Sequence, residues 1–342
     1  MSKRRSGFLG RIIYGINILA ALLLLISYLV PYVPPARFPS ISLIGLAVSP
    51  LIVINLLFLL YWLVGFRRQS WLSGTVLLLG FLLHGPLYRF GSNTELAIDG
   101  PHLKVMSYNV RLFNAYEEEP GDVVDHLLDE LIQEHQPDVI CIQEYYKEHP
   151  VDFSQYPYQF THFRDGSALG YAIFSKYPMT AKGSFDFDDT GNNSVYTDLE
   201  VGGNKLRLYN LHLQSLGILP TVDYLQNNDS ERTRKRMADG FARQQEQLEV
   251  ILEHMTNSPY PILVGADLNN TPFSYVYRKL NKQLVDGFRE EGRGLGTTFR
   301  FDSYPLRIDY LFADSSLKFL DFQTLDRTFS DHYPVMATLK LP

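Results

Sequence analysis

The first 90 residues of this 342-residue sequence contain no aspartate or glutamate, and the whole chain has a single cysteine, Cys141. One cysteine excludes a disulfide within the chain, and its place in the apolar run 139–142 favours a buried, unreactive thiol. The sequence also lacks an internal repeat, a low-complexity run and a Cys/His cluster with zinc spacing. Repeat architectures, disulfide scaffolds and structural zinc modules are therefore poor descriptions of this chain.

The shortage of acidic residues is confined to the N-terminal part of the chain. Of the 31 Lys and Arg residues, eight lie in residues 1–101, together with only two of the 37 Asp and Glu residues. Residues 102–342 therefore hold 23 basic and 35 acidic residues, a net charge of −12. Such an acidic domain lacks the broad basic surface with which proteins bind long nucleic acids, but it is compatible with a site that gathers cations.

Three apolar stretches without a charged residue follow one another in the N-terminal part, at residues 12–33, 41–66 and 71–88. At about 1.5 Å per residue, a helix over the first stretch would cross a hydrocarbon core of about 30 Å. The pattern predicts a membrane anchor of about three transmembrane helices in residues 1–90. A cleavable signal peptide is the competing interpretation of the first stretch.

The distribution of basic residues predicts how this anchor is oriented. Four of them precede the first stretch and two lie between the second and third, whereas the loop between the first and second has only Arg37. By the positive-inside rule the N-terminus then lies in the cytoplasm. Three spans would place the rest of the chain outside the cell (inner) membrane, in the periplasm if there is one. If the third stretch does not cross, the soluble part lies in the cytoplasm.

A polar, turn-rich segment at residues 91–102 predicts a linker, and residues 103–342 read as one soluble domain. Strands are predicted at 103–110, 138–143, 171–175, 198–201, 205–213, 261–266, 308–312 and 335–339, and helices at 122–135 and 231–255. This alternation predicts an α+β domain with two sheets covered by helices rather than one doubly wound sheet.

Polar side chains follow six of the apolar runs, at the point where each run ends or begins. They are Asn109, Glu144, His212, Asp267 with Asn269, Asp309, and Asp331 with His332. Each alone has an ordinary interpretation as a turn residue, a solvated charge or a hydrogen-bonded core group. Together their chemistries complement one another, and polar groups at strand ends converge on a rim where a ligand can sit. The combination predicts a functional site.

The segments that carry these residues resemble the motifs of one known superfamily. In order they read MSYNV (106–110), IQE (142–144), NLHL (210–213), GADLN (265–269), RIDY (307–310) and SDHYPV (330–335). Their order is similar to that of the endonuclease/exonuclease/phosphatase superfamily, which includes deoxyribonuclease I, and the resemblance covers about residues 103–341. It implies a four-layer α/β/β/α sandwich with the active site at one end of the paired sheets.

The resemblance also implies an activity and a metal. It implies an Mg²⁺-dependent hydrolase of phosphate esters, chiefly a phosphodiesterase in which water attacks in line, with Mn²⁺ as an alternative ion. Mg²⁺ prefers oxygen ligands and keeps several waters, so one or two carboxylates suffice. By resemblance Glu144 is the first metal ligand, with Asn109 and Asp331 close to it.

The remaining site residues are catalytic candidates by the same resemblance. Asp309 would orient His332, which acts as general base or stabilises charge on the phosphate. Asp267 would accept a proton from the attacking water and Asn269 would hold that water or a phosphoryl oxygen. His212 would donate to an oxygen or to the leaving group from the opposite side. The choice of the general base stays open.

Several questions of substrate and partner stay open at this stage. A nuclease and a phospholipid- or inositol-phosphate-directed phosphatase are both compatible with the motifs, and the lipid bilayer is the expected partner of the N-terminal helices. A catalytically inactive binding or scaffold protein that retains the fold is the alternative from another class. Two further segments stay unassigned. The basic cluster at 232–236 is either a solvated helix face or a contact for a phosphate group, and the loop 213–230 has no clear pattern.

Overall fold

The computed structural model describes residues 8–91, 100–116, 121–149, 151–302 and 304–342. The α-helices are α1 Phe8–Ser27, α2 Leu43–Leu46, α3 Val48–Val64, α4 Ser70–His84, α5 Gly121–His135, α6 Val222–Asn227, α7 Ser230–Thr256, α8 Tyr275–Asn281 and α9 Gly287–Glu291, with 3-10 turns at Val30–Tyr32, Pro39–Ser42 and Arg111–Asn114. The strands are β1 His102–Asn109, β2 Val139–Tyr146, β3 Tyr158–Phe163, β4 Leu169–Ser175, β5 Met179–Ser184, β6 Ser194–Val201, β7 Asn204–His212, β8 Ile262–Asp267, β9 Val285–Asp286, β10 Phe299–Phe301, β11 Tyr304–Leu306, β12 Asp309–Ala313, β13 Lys318–Thr324 and β14 Val335–Lys340.

The apolar N-terminal part folds into three packed helices, α1, α3 and α4. The Trp62 indole of α3 donates to Asn17 of α1 at 3.0 Å, and Asn55 of α3 donates to the Ala20 carbonyl at 3.2 Å. Later residues of α3 therefore meet earlier residues of α1, so these two helices are antiparallel. Tyr28 near the end of α1 donates to the Val76 carbonyl of α4. The Tyr28 ring also lies 5.3 Å from the ring of His84, and Tyr28 shares an apolar cluster with Val48, so the end of α1, the start of α3 and the end of α4 lie together.

Helix length corrects the prediction of three transmembrane spans. Only the helical segment Phe8–Tyr32, of 25 residues, is by itself long and apolar enough among the described residues to cross a membrane. The pair Pro39–Leu46 and Val48–Val64 qualifies only if counted as one span, although it is bent by 48°. The third stretch forms a helix of 15 residues, Ser70–His84, which Gly85 ends and which is shorter than a span needs. The basic residues at 3–5 and most of the predicted linker 91–102 lie outside the described residues.

Two six-stranded mixed sheets form the rest of the molecule. The first has the strand order β13-β14-β1-β2-β4-β3 and the second has the order β5-β6-β7-β8-β12-β9. In the first, β1 and β2 are parallel, and in the second, β7 and β8 are parallel. Every other pairing between neighbouring strands in the described part of these sheets is antiparallel. A small hairpin of β10 and β11 stands apart from both sheets.

Three apolar cores alternate with these sheets and set the order of the layers. The inner faces of both sheets meet in one core, where Val105 and Cys141 pack with Leu208 and Leu263. The outer face of the first sheet packs on α5, and the outer face of the second packs on α7 and α8. The layer order is therefore helix, sheet, sheet, helix, as the resemblance implies. Gly265 permits the close approach of the sheets, since a Cβ there would lie 3.0 Å from the Ser107 hydroxyl.

The structure adds elements for which the sequence analysis gave no signal. It adds the sheet edges β3, β5, β9 and β13, the hairpin of β10 and β11, and the helices α6, α8 and α9, whereas α2 and α3 both fall within the predicted apolar stretch 41–66. Edge strands are half solvated and carry weaker apolar alternation than central strands; β5, for example, reads MTAKGS. The central strands and the helices α5 and α7 coincide with the predicted segments to within a few residues.

Candidate functional site

The topology brings the predicted site residues to one edge of the stacked sheets. Parallel neighbours place their carboxyl ends side by side, so Asn109 ends β1 beside Gln143 of β2, and His212 ends β7 beside Asp267 of β8. Antiparallel β12 begins there, with Asp309 opposite Asp267. The site is therefore assembled from the centre of each sheet, where the backbone is held on both sides.

Asn109, Glu144 and Asp267 meet at the centre of this edge. The Asn109 amide donates to Glu144 Oε1 at 3.3 Å and to Asp267 Oδ2 at 3.0 Å, so it bridges a carboxylate from each sheet. Glu144 lies where the register of β2 against β4 shifts, and its φ of 53° is in the left-handed region. An irregular strand that turns a carboxylate toward the interior is a common feature of functional sites.

His332 and Asp309 form a second unit at the same edge. His332 Nδ1 lies 3.1 and 3.0 Å from the two oxygens of Asp309, and both side chains are buried. The other ring nitrogen, Nε2, lies 3.8 Å from Asp267 Oδ2. One ligand atom from each of these three residues lies within 4.8 Å of the others, an arrangement that could also hold a metal ion.

His212 is held from both sides by residues of two other segments. Its Nδ1 lies 3.3 Å from the Tyr171 hydroxyl, and its Nε2 lies 3.0 Å from the amide nitrogen of Asn192. The Asn192 carbonyl oxygen accepts from the Ser215 backbone N–H, which assigns the NH₂ group to the His212 side. Nε2 then accepts a hydrogen bond, so the imidazole is neutral. Glu144 Oε1 lies 3.7 Å from the same nitrogen.

Asn269 and Asp331 lie at the margin of the site. Asn269 has a φ of 48°, its backbone N–H donates to Asp267 Oδ1 at 2.8 Å, and its side-chain amide donates to the Leu213 carbonyl at 3.1 Å. Asp331 Oδ2 lies 3.7 Å from Arg111 Nε, while Oδ1 is 4.0 Å from His332 Nε2. All eight predicted residues therefore converge, and Glu144, Asn269 and Asp331 are the three that are partly exposed to solvent.

The electrostatics of the site separate the two histidines. Burial lowers the pKa of His212 to about 4, although the charge of Asp267 opposes this. Burial acts in the same direction on His332, but Asp309, Asp267 and Asp331 overcome it and raise the pKa of His332 to about 10. At neutral pH one imidazole is neutral and the other is positively charged.

Burial also shifts the pKa values of the two carboxyl groups at the centre of the site, in the direction that favours their neutral form. Burial raises the pKa of Glu144 and that of Asp267, and in both cases the charge of His332 only partly offsets the loss of hydration. Two desolvated acids with one cation between them leave negative charge in excess. Their oxygens suit a hard divalent cation.

Three supporting residues were missed by the sequence analysis. Tyr171 and Asn192 fix His212, and Thr298 accepts hydrogen bonds from the backbone N–H groups of Ile308 and Asp309, both at 3.0 Å. Asn192 lies in the segment TGNN and Thr298 in GTT, which read as ordinary turns. Tyr171 lies in the predicted strand 171–175, but nothing in the sequence marked it as a partner of His212.

The basic cluster at the start of α7 is engaged elsewhere. Arg234 pairs with Glu231 and also donates to Ser40 at 2.7 Å. Arg236 donates to the Gly217 carbonyl and to the Tyr224 hydroxyl, at 2.9 and 3.0 Å. These two side chains therefore hold the loop 213–230 and the N-terminal part rather than facing the site.

Comparison with known proteins identifies the two parts of the chain differently. The Endonuclease/Exonuclease/phosphatase family matches residues 106–332, which contain all eight candidate residues. A domain of unknown function matches residues 10–87, which contain the apolar helices. A search of curated proteins finds no match.

Solved structures resemble the sandwich at low sequence identity. The catalytic domain of human Nocturnin with bound sulfate is 17% identical, with 71% of this chain and 94% of that chain covered and a TM-score of 0.52. An endonuclease/exonuclease/phosphatase family protein from Bacteroides thetaiotaomicron is 20% identical, covering 71% and 99%, with a TM-score of 0.52. One from Bacteroides vulgatus is 15% identical, covering 71% and 100%, with a TM-score of 0.51. These likenesses establish the fold.

Proposed function

Because the chain belongs to the Endonuclease/Exonuclease/phosphatase family over residues 106–332, we propose that it is a divalent-metal-dependent phosphoesterase, chiefly a phosphodiesterase, anchored in a membrane. The observation that carries the proposal is the meeting of the two parallel strand pairs. It places Glu144 and Asp267 on either side of Asn109, next to a charged and a neutral imidazole. Oxygen ligands for a cation, a buried carboxylate and a charged imidazole are the groups that hydrolysis of a phosphate ester requires.

The metal would be held at Glu144, with Asn109 and Asp331 completing the protein ligands. The raised pKa of Glu144 supports this position, since a bound cation would restore the electrostatic stabilisation that burial removes. All three residues offer oxygen atoms, which favours Mg²⁺, with Mn²⁺ as the alternative. When bound, such an ion polarises a phosphoryl oxygen and neutralises its charge.

Each of the remaining groups would have its own role in the in-line attack by water. His332, kept protonated by Asp309, would stabilise negative charge on the phosphoryl group rather than serve as the base. Asp267 is the better base, because its carboxylate is fully buried and its pKa is raised. Asn269 would position the water. His212, whose Nε2 accepts from Asn192, would contact the substrate only after that hydrogen bond opens.

The proposal of a membrane anchor rests on the surface of the N-terminal helices. Their outward faces expose large apolar side chains, among them Phe8 at 82%, Leu9 at 68%, Val64 at 83% and Leu82 at 70%. A soluble protein rarely exposes an apolar surface of this extent. With α1 crossing and its N-terminal end inside, the domain, which contacts the C-terminal end of α1, would lie outside the cytoplasm.

One experiment separates this function from that of an inactive scaffold. The full chain in bilayer nanodiscs is assayed with bis-(p-nitrophenyl) phosphate, with Mg²⁺ and after EDTA. We expect turnover that EDTA abolishes and Mg²⁺ or Mn²⁺ restores, and a loss of roughly 100-fold or more in kcat for Asp267→Asn, since the buried base is removed.

The matched control is Asp314→Asn. Asp314 lies just beyond the C-terminal end of β12, whereas Asp309 begins the strand, and we expect this variant to keep wild-type activity. Turnover that ignores EDTA, or full activity after Asp267→Asn, would overturn the proposed chemistry. The absence of any turnover in the wild-type chain would favour the scaffold.

A further inference from the structure

An apolar groove opens directly beside the candidate site. One wall is the loop 213–230, with Leu216, Ile218 and Leu225, and the other is the hairpin of β10 and β11, with Phe299, Phe301 and Leu306. The groove has a volume of about 230 Å³. We propose, on the basis of the function proposed above, that this groove receives the hydrocarbon chain of a lipid phosphodiester whose phosphate lies in the site.

The inner end of the groove is part of the site. Asn269 and Ile308, the residue before Asp309, both line it. The Phe299 ring lies 4.8 Å from the His332 ring, and Phe299 forms an isolated bridge with His332. A chain in the groove would therefore be attached directly to a phosphate held by the catalytic residues.

The outer end of the groove leads toward the apolar helices. Leu46 of α2 contributes to its wall. Tyr304 and Leu306 line both this groove and a second cavity, of about 860 Å³, which lies between the domain, the first half of α3 and the end of α4. The walls of the second cavity include Val53 and Ile54 of α3. A hydrocarbon chain thus has apolar contacts from the site to helices whose outer faces suit a bilayer.

The loop that forms the groove exposes further apolar side chains at its rim. Leu219 and Val222 are 57% and 47% exposed. The loop is nonetheless ordered, because Arg236 donates to the Gly217 carbonyl and the Tyr224 hydroxyl. An ordered loop with apolar tips next to a membrane-facing helix is suited to insertion among lipid chains.

The chemistry of the groove disfavours nucleic acid as its occupant. None of the described residues that line it is a lysine or arginine. A polynucleotide presents a charge at every phosphate and requires basic partners along its path. A lipid phosphodiester has one charged group followed by a long apolar chain, which matches a polar site that continues into an apolar groove.

The reaction on such a lipid is a simple hydrolysis. Water adds to phosphorus, one P–O ester bond breaks, and the products are a phosphomonoester and an alcohol, with the proton released to solvent. The groove would hold the ester substituent that carries the chain. Each buried methylene would then add to the binding of both the substrate and the transition state.

The test uses the full chain in nanodiscs with a series of p-nitrophenyl alkyl phosphates from methyl to octyl. Hydrolysis releases p-nitrophenol and leaves the alkyl phosphate. We expect kcat/KM to rise roughly threefold per added methylene until the groove is filled. In Ile218→Trp, which fills the groove, the octyl-to-methyl ratio should fall by roughly tenfold or more. Val250→Trp, on the exposed side of α7, should keep the wild-type ratio and thereby corrects for partition of longer chains into the bilayer.

The outcomes separate this inference from the proposed function. If bis-(p-nitrophenyl) phosphate is hydrolysed but the ratio is the same in Ile218→Trp and Val250→Trp, the groove does not bind the chain and the inference fails alone. If single-stranded DNA is cleaved faster than the octyl ester, a nucleic acid is the substrate and the inference is again wrong. If no phosphodiester is hydrolysed, the proposed function itself fails.

Discussion

At the scale of single residues, the two histidines of the site differ because their surroundings differ. His212 has an amide and a phenol as its close partners, and burial keeps it neutral. His332 has the carboxylates of Asp309 and Asp267, which keep it charged. The same side chain thus carries a different charge at the two positions because of its neighbours, although both histidines are buried.

The positive charge of His332 predicts how activity falls at alkaline pH, which gives the pH profile its alkaline limb. If the imidazolium stabilises the phosphoryl group, kcat/KM for bis-(p-nitrophenyl) phosphate should fall as pH rises through about 10, where His332 loses its proton. Asp309→Asn removes the carboxylate that holds this proton, so the limb should move to lower pH and the plateau should drop by roughly 100-fold. The measurement is a pH profile of the chain with Mg²⁺ held constant.

Asp314→Asn serves as the control here too, since it lies beyond the other end of β12 and should leave the limb in place. A rate that increases as pH rises through 10 would show that neutral His332 acts as the base, contrary to the proposal. An unchanged limb in Asp309→Asn would show that another group sets it.

At the scale of elements, a small polar network ties the apolar helices together. Asn17 of α1 donates to the Ser73 hydroxyl of α4 at 2.7 Å and accepts from the Trp62 indole of α3 at 3.0 Å. Ser73 in turn donates to Asn55 at 3.2 Å. All four polar groups are buried in an otherwise apolar bundle, so each depends on the others for its hydrogen bonds.

Replacement of Asn17 should therefore loosen the bundle. Asn17→Leu leaves Ser73 and Trp62 without this partner, at a cost of about 1–2 kcal/mol in a membrane setting. We expect a lower Tm for the three-helix part of the nanodisc-embedded chain, followed by Trp fluorescence. Ile16→Leu, on the exposed face of the same helix, should leave the Tm unchanged. An Asn17→Leu chain as stable as the wild type would mean that the network does not hold the helices.

The elements also explain how far the sequence could be interpreted. The central strands were predictable, because burial on both faces makes them continuous apolar runs, and β7 and β8 end in the site residues His212 and Asp267. The partners of His212 were not predictable, because Asn192 lies in a turn and approaches only through the packing of two loops. The loop 213–230 had no pattern of its own, since its apolar residues pair with a hairpin far along the chain. The predicted number of spans was wrong because Gly85 ends α4, whereas the apolar stretch in the sequence continues to residue 88.

At the scale of the whole molecule, the domain is fixed on the end of the helical part. Phe273 packs among Leu24, Tyr28 and Val48. The Arg278 guanidinium lies 4.2 Å from the Tyr32 ring. Hydrogen bonds from the Ala36 backbone to Gln245 and from Thr271 to the Gly45 carbonyl add to this contact. The groove depends on the contact, because Leu46 reaches it from the helical side.

Loss of the buried aromatic should release the domain from the helices. Phe273→Ser removes a side chain whose burial is worth about 3–5 kcal/mol. We expect faster hydrogen exchange in residues 28–47 and unchanged exchange in β1 and β8. Tyr158→Ser, on the exposed edge strand β3, should alter neither region. Unchanged exchange in residues 28–47 would contradict the contact, and faster exchange in β8 would mean that the fold itself is lost.

The first sheet has a consequence for the time at which the protein becomes active. Its centre, β1, pairs on one side with β14, the last strand of the chain. A nascent chain that has been synthesised only as far as β12 therefore lacks His332. It also lacks the strand that pairs with β1 on the side opposite to β2. In the membrane-anchored enzyme proposed above, the apolar helices would be synthesised and inserted before the candidate site is complete, so hydrolysis would begin only after the chain had reached the membrane.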